Sequence, residues 1–446
     1  MRSHHFLPLL AVLQIGSATL IAADSAEFPP ARRAVECTPR NGMPNLFAKA
    51  SAGRGDIRVA YLGGSITAQP GYRVKTRAHL AAQYPDCTFR EIHAAIGGTG
   101  SDLGVFRIDH DVFPQKPDVL FVEFAVNDAS AQPAEIVRSM EGIVRKTWHA
   151  FPHCDVCFVY TFTELLLPEL KTGNLNRSAA AMEVVADRYG IPSIHMGIEA
   201  VRLESEGRLV MKGAEAFPER VSGDQLNTPS PLAVNADGKI PFSPDGVHPF
   251  LNTGHRLYTE AVIRSLPLIQ KAGGQPQSHS LPAPIDPLNY QNTVMLPLEK
   301  ATRTGAWTKL PGDDGLGRNF GSRVDSLWKG EPGAELSFRF KGSTAKIYDL
   351  LGPDCGKLEV LLDGKSSARQ RIDGYCTYHR LATLSIAADA DTNAVHDVTI
   401  RVLAEPVDKA AVLFEKNRGD LQKNPAKYNG SNWYAGAIFL VGELVP

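Results

Sequence analysis

The stretch Ile57–Arg73, "IRVAYLGGSITAQPGYR", changes character in its middle. An apolar run, "VAYLGG", stops at Ser65, and a polar, helix-compatible segment follows. A serine at a strand-to-helix turn has two readings. It can simply cap the helix that follows. It can also be a nucleophile, held at the top of a sheet beside a base. The surrounding sequence has to separate the two.

Outward from this stretch, short apolar runs alternate with helical patterns as far as about Ile269. "TFREIHAAIGG", "DVLFVEFAVND", "DVCFVYTF" and "IPSIHMG" read as further strands. "SDLGVFRIDHDVF", "PAEIVRSMEGIVRKTWHAF", "NRSAAAMEVVADRYG" and "TGHRLYTEAVIRSLPLI" carry apolar residues at helical spacing. Strands that are apolar almost throughout, with helices between them, predict a parallel sheet covered on both faces. Right-handed crossovers would gather the strand ends, and a site, on one edge. From about 200 to 244 the pattern breaks. So long an excursion is expected to form a hairpin or a flap facing the substrate.

Residues 273–287, "GGQPQSHSLPAPIDP", read as a linker. Beyond it come short strand-like runs such as "AELSFRFKG", "KLEVLLDGK", "HDVTIRVLA" and "YAGAIFLVGELV". "LDGK" carries a hairpin-turn signal. The expected organisation is a catalytic α/β domain over 40–272, a linker over 273–287, and an all-β sandwich or jelly roll over 288–446.

The 446 residues carry a formal net charge of -1 and contain no dense Lys/Arg cluster, so nothing points to an electrostatic grip on nucleic acid. The chain opens with Arg2, an apolar run "FLPLLAVLQIGSATLIAA" and small residues near Ala22 and Ala23. This pattern predicts an export signal over 1–23 and a secreted or periplasmic mature protein without membrane attachment. The alternative, an N-terminal anchor, is disfavoured by Pro8, Gln14 and the small-residue exit. Six cysteines suit an oxidising compartment, as disulfides or buried thiols. Cys355 with Cys376 is one reasonable pairing, although sequence cannot fix connectivity. Cys154 and Cys157 in "CDVC" fall within a strand and should point to opposite faces, a poor metal clip. No metal-ligand cluster and no cofactor motif stand out.

An alcohol attacks a carbonyl only with a base to take its proton, a partner to orient that base, and donors for the oxyanion. His248 in "FSPDGVHP" is the candidate base, and Asp245, three residues earlier, the orienting acid. Oxyanion donors are the Ser65 N–H, the Gly98 N–H in "AAIGGTGS", and the Asn127 side chain in "EFAVND". His195 and His255 read as structural histidines. Glu123, charged within an apolar strand, reads as a residue orienting the Asn127 loop.

The ordered blocks "GGSIT", "IGGTGS", "AVND" and "DGVHP" resemble those of the SGNH, or GDSL-type, hydrolase superfamily. The resemblance covers about 57–270 and implies a flavodoxin-like three-layer fold. It places the nucleophile at Ser65, the block-two glycine at Gly98, the block-three asparagine at Asn127, and the closing Asp and His at Asp245 and His248. Gly64 stands where the family's "GDS" has Asp, and Ala125 where it often has Gly. Thr67 removes the G-x-S-x-G pattern of α/β-hydrolases. The blocks, together with export and a trailing β-domain, resemble bacterial carbohydrate esterases, which implies an acetylated polysaccharide as substrate. Trp307, Trp328, Tyr375, Tyr378, Trp433 and Tyr434 are candidates to stack on sugars, or are core. Two alternatives are a lipase or lysophospholipase of the same superfamily, and a catalytically inactive carbohydrate-binding protein.

Overall fold

The computed structural model describes residues 28–53, 55–214, 232–313 and 315–446. The expected export segment, 1–23, lies outside the described residues, as does the middle of the 200–244 excursion. Among the described residues no helix is long and apolar enough to cross a membrane.

The first domain is built on six strands: β1 (Cys37–Thr38), β2 (Asp56–Gly63), β3 (Thr88–Ala95), β4 (Val119–Glu123), β5 (Asp155–Tyr160) and β6 (Ser193–His195). Their order across the sheet is β1-β6-β5-β4-β2-β3. All pairs are parallel except the short antiparallel edge β1, which had no signal in the sequence. Along β2, Ala60 and Leu62 face one core and Val59 and Tyr61 the other. Covering helices on both faces explain why these strands read as unbroken apolar runs. One face carries α4 (Ser101–Asp111), α5 (Pro133–Ala150) and α7 (Arg177–Tyr189). The other carries α1 (Pro44–Ser51), α3 (Tyr72–Gln83), α8 (Ile198–Ser205) and α9 (Gly254–Ala272). The short α2 (Ser65–Ala68) and α6 (Leu167–Lys171) complete the set. Cys154 belongs to one core and Cys157 to the other, as alternation in a strand requires. The strand order reverses between β2 and β4, and the crevice at that reversal is where open α/β sheets bind ligands.

The described ends of the 200–244 excursion do not pair as a hairpin. They are β7 (Leu209–Lys212) and β8 (Ile240–Ser243), and these pair in parallel. A hairpin would require an antiparallel pair.

The second domain is one antiparallel network of ten strands. In chain order they are β9 (Thr293–Pro297), β10 (Thr302–Thr304), β11 (Trp307–Lys309), β12 (Trp328–Gly330), β13 (Glu335–Leu351), β14 (Lys357–Leu362), β15 (Lys365–Gln370), β16 (Arg380–Ala387), β17 (Val395–Val402) and β18 (Trp433–Val445). The first half of β13 pairs with β17 and the second half with β16, while β18 runs along its other edge. Register shifts on β13 next to Gly342 and Ala345 let this strand serve both halves. Asp363 and Gly364 join β14 to β15 with φ of 51° and 76°, the two positive values that the "LDGK" signal predicts. The domain is not entirely β. Helix α10 (Gly315–Val324) and short helices between β17 and β18 interrupt it.

The domains share a core. Phe106 on α4 stacks on Phe439 of β18 at 4.8 Å, and Tyr348 of β13 stacks on the same ring at 5.0 Å. Lys346 meets Asp102 in the first turn of α4 at 3.1 Å. Emptying such an aromatic site costs about 3–5 kcal/mol, so the docking is a sizeable part of the fold's stability. Residues 273–287 lie along the first domain. His279 stacks on Trp148 at 4.4 Å and bonds Asp155 at 2.8 Å, and the N–H of Ile285 donates to Glu141.

All six cysteines are free thiols. The suggested Cys355–Cys376 pairing is therefore not present, and both side chains are fully buried instead. Burial raises the thiol pKa of each.

Candidate functional site

Sheet register sets up the site. Gly63 is the lateral partner of Ala95 on β3 and of Glu123 on β4. The loops that follow these three residues therefore leave the sheet side by side. They carry Ser65, then Gly97 and Gly98, then Asn127.

The two glycines before Ser65 have separate reasons. A Cβ on Gly63 would lie 2.7 Å from Thr67 Oγ1 and 2.9 Å from the Glu123 carbonyl oxygen. A Cβ on Gly64 would lie 2.0 Å from Asn127 Oδ1. Asn127 thus occupies the space that a side chain at position 64 would need. Its amide has no hydrogen-bond partner among the described residues, which leaves its N–H groups available. Gly97 is next to the serine, since a Cβ there would lie 3.5 Å from Ser65 Cβ. Gly98 has open space around it and is needed for its φ of 74°.

His248 reaches Ser65 from the loop between β8 and α9. Its Nε2 lies 2.9 Å from Ser65 Oγ, and its Nδ1 lies 2.7 Å from Asp245 Oδ2. The other Asp245 oxygen accepts from the N–H groups of Val247 and His248 at 2.9 and 2.8 Å. Partial burial opposes ionisation of Asp245. The bonds from the His248 ring and from these two N–H groups outweigh it and hold the Asp245 pKa below its ordinary value. A carboxylate on Nδ1 fixes the tautomer that leaves Nε2 free to accept the serine proton. The site is open, with the Asp245 and His248 side chains 49% and 39% exposed.

The loop that carries Asp245 and His248 is fastened from behind. The N–H of Glu164, which follows β5, donates to the Gly246 carbonyl at 2.8 Å. The Gly246 N–H donates to Ser243 Oγ at 2.8 Å, and Glu164 pairs with Lys212 of β7. The serine side is fastened as well. Arg73, 7% exposed, donates from Nε to the Thr67 carbonyl at 2.8 Å and from its terminal nitrogen to the Ala68 carbonyl at 3.2 Å, closing the C-terminal end of α2. Arg73 lies within the opening stretch, but only its burial marks it as part of this support, and burial was not readable there.

Sequence reading thus named five residues that the fold brings to one edge: Ser65, Gly98, Asn127, Asp245 and His248. His195 is buried at the end of β6, three strands from β2, and accepts from the Gly197 N–H at 3.3 Å. His255 is fully buried. It accepts from the Tyr72 N–H on Nδ1 at 3.2 Å and contacts Gln69 through Nε2 at 3.1 Å. Glu123 differs from expectation. Its hydrogen bonds run to Thr67 and Thr161 rather than to the Asn127 loop. The residue that ties the Asn127 turn to the Gly98 loop is Asp128, whose Oδ1 accepts from the Ser101 N–H at 3.0 Å. Burial raises the Asp128 pKa to about 7, against the pull of the Ser101 bonds.

Among the described residues, Asp354, Cys355 and His379 bring three possible metal-ligand atoms within 4.8 Å of one another. They lie in the second domain, and the Asp354 carboxylate is already engaged by His379, Asn432 and Tyr434. Of the aromatic candidates, Trp433 and Tyr434 are core, whereas Tyr375 and Tyr378 are 53% and 59% exposed.

Residues 61–249, a span holding all five candidate residues, match the GDSL-like Lipase/Acylhydrolase family. No curated protein matches the chain in sequence. Among solved structures, a two-domain esterase active on acetylated mannans, co-crystallised with mannopentaose, is similar with a TM-score of 0.67. It is 19% identical, and the match covers 92% of this chain and 98% of that one. A second crystal structure of a two-domain esterase active on acetylated mannans gives a TM-score of 0.65 at 19% identity, covering 91% and 97%. The likeness is one of fold and extends over both domains.

Proposed function

Residues 61–249 form a domain of the GDSL-like lipase/acylhydrolase family, and from that premise we propose that the protein is a serine ester hydrolase that removes acetyl groups from a polysaccharide. The observation that carries this reading is the continuous line from Asp245 through His248 to Ser65, at 2.7 and 2.9 Å.

In this mechanism His248 Nε2 accepts the Ser65 proton as Oγ attacks the ester carbonyl carbon. Asp245 holds the ring and offsets its developing charge. The Ser65 and Gly98 N–H groups and the Asn127 amide donate to the oxyanion. His248 then delivers its proton to the leaving sugar oxygen as the carbon–oxygen bond breaks. Water attacks the acyl-enzyme with His248 again as base, releasing acetate and free Ser65. The chemistry draws on this chain's side chains and backbone.

An acetyl ester on a polymer is favoured by the open site, where half-exposed Asp245 and His248 leave room for a long chain. The likeness in fold to esterases active on acetylated mannans supports the same class. An export signal over 1–23, the reading of the sequence there, fits an enzyme that acts where polysaccharides are found. The test is acetate release from acetylated mannan and acetylated xylan, beside para-nitrophenyl esters from acetate to octanoate. Acetate release with a preference for the shortest ester supports the proposal. A preference for octanoate without acetate release would replace it with a lipase.

A further inference from the structure

Glu123 takes no part in the acyl transfer set out above, yet it is 1% exposed at the end of an otherwise apolar strand. A buried carboxylate is expensive to keep unless it is fully bonded, and an apolar side chain would pack the same place more simply. The bonds of Glu123 indicate what it does there. Oε2 accepts from Thr67 Oγ1 at 2.9 Å, and Oε1 accepts from Thr161 Oγ1 at 2.7 Å. The Thr67 hydroxyl donates to Glu123, so the partner 2.8 Å away, the Tyr72 O–H, donates to Thr67 in turn.

Two chain segments meet on this one group. Thr67 is on α2, which begins with the serine. Thr161 opens the β5 exit loop, whose Glu164 holds the Gly246 carbonyl between Asp245 and His248. The nucleophile and its base come from segments 183 residues apart, and the Glu123 carboxylate is a fixed point common to the supports of both. We propose that Glu123 is a positioning residue that sets the Ser65 turn against the His248 loop, a role that presupposes Ser65 as the nucleophile.

Acyl transfer is sensitive to placement at this scale, since a 1 Å error in a reacting group can cost about 100-fold. The test uses the full chain with Glu123→Ala, Glu123→Gln and Thr161→Val. It reads kcat and KM on para-nitrophenyl acetate, the rate of covalent labelling by a fluorophosphonate, and the melting temperature. Glu123→Ala is expected to lower kcat by about 100-fold and slow labelling by a similar factor, with KM within about 2-fold. Glu123→Gln keeps an acceptor for one of the two threonine hydroxyls and is expected to recover kcat to within about 5-fold of wild type. Thr161→Val, which removes one donor without touching α2, is expected to lower kcat by about 3- to 10-fold. Wild-type kcat and labelling in folded Glu123→Ala overturn the proposal, as does a loss that Gln leaves unrepaired. Where Glu123→Ala does not fold, wild-type behaviour of Thr161→Val overturns it. A wild-type enzyme that is not labelled at Ser65 overturns the nucleophile itself. A labelled wild type with unaffected variants overturns only the role of Glu123.

Discussion

Gly64 and Asn127 compete for one volume: a Cβ on the glycine would lie 2.0 Å from Oδ1 of the asparagine. The "GGS" of this chain, in place of "GDS", is thereby a consequence of where Asn127 rests. Any side chain at position 64 has to displace the proposed oxyanion donor.

Gly64→Ala should therefore lose activity through Asn127. Its kcat on an acetyl ester is expected to fall by roughly 100-fold, close to the fall for Asn127→Ala. The double variant should be little worse than either single one, because both remove the same interaction. Independent, multiplying losses in a double-mutant cycle would show that Gly64 acts some other way.

Asp245 is held as a carboxylate by His248 and two backbone N–H groups, so it stays ionised through the neutral and mildly acidic range. Asp245→Asn preserves the shape but no longer secures the working tautomer. A kcat drop of about 10⁴-fold is expected, with KM little changed. Steady-state kinetics on para-nitrophenyl acetate check it, and a loss under about 10-fold would remove Asp245 from the mechanism.

Asp128 has its pKa raised to about 7 by burial. The folded state therefore holds a proton that the unfolded chain releases near its ordinary value. The resulting penalty is absent at low pH, grows as pH rises, and is complete above about 7. Asp128→Asn keeps an acceptor for the Ser101 N–H and removes the ionisation. It should stabilise the protein by roughly 2–4 kcal/mol at pH 8 and by little at pH 4. Urea unfolding at the two pH values measures this, and equal effects at both would contradict it.

His255 behaves in the opposite sense. Burial, with Lys75 and Arg73 nearby, lowers its pKa to about 3. The unfolded chain takes up a proton near pH 6.5 that the folded chain refuses until about pH 3. Stability is lost as pH falls across that window, by about 1.4 kcal/mol per unit. Calorimetry at pH 7 and pH 4 should show His255→Gln with a smaller acid-induced drop than wild type. A drop of the same size would place the acid sensitivity elsewhere.

Much of this was readable in advance, and the reasons are physical. Strands buried on both faces leave continuous apolar runs, and four short blocks at strand ends mark one sheet edge. The five candidate site residues are local features of those blocks. What escaped reading depends on distant partners. The pairing of β7 with β8 joins segments about thirty residues apart with no shared pattern. Helix α10 has Leu316, Phe320 and Val324 on one stripe, but Gly315, Gly317 and Gly321 obscure it. Glu123 stood out as a charge in an apolar strand, whereas its partners Thr67 and Thr161 come from other segments and carry no signal of their own. Exposure likewise separated Trp433 and Tyr434 in the core from Tyr375 and Tyr378 at the surface, which composition could not do.

The central claim is that Ser65 is the nucleophile, and the most direct measurement is turnover of para-nitrophenyl acetate by wild type and Ser65→Ala. The account predicts hydrolysis by the wild type and a fall of at least about 10⁴-fold in kcat for a Ser65→Ala protein that melts at the wild-type temperature. A folded Ser65→Ala protein that still hydrolyses the ester at the wild-type rate would contradict it.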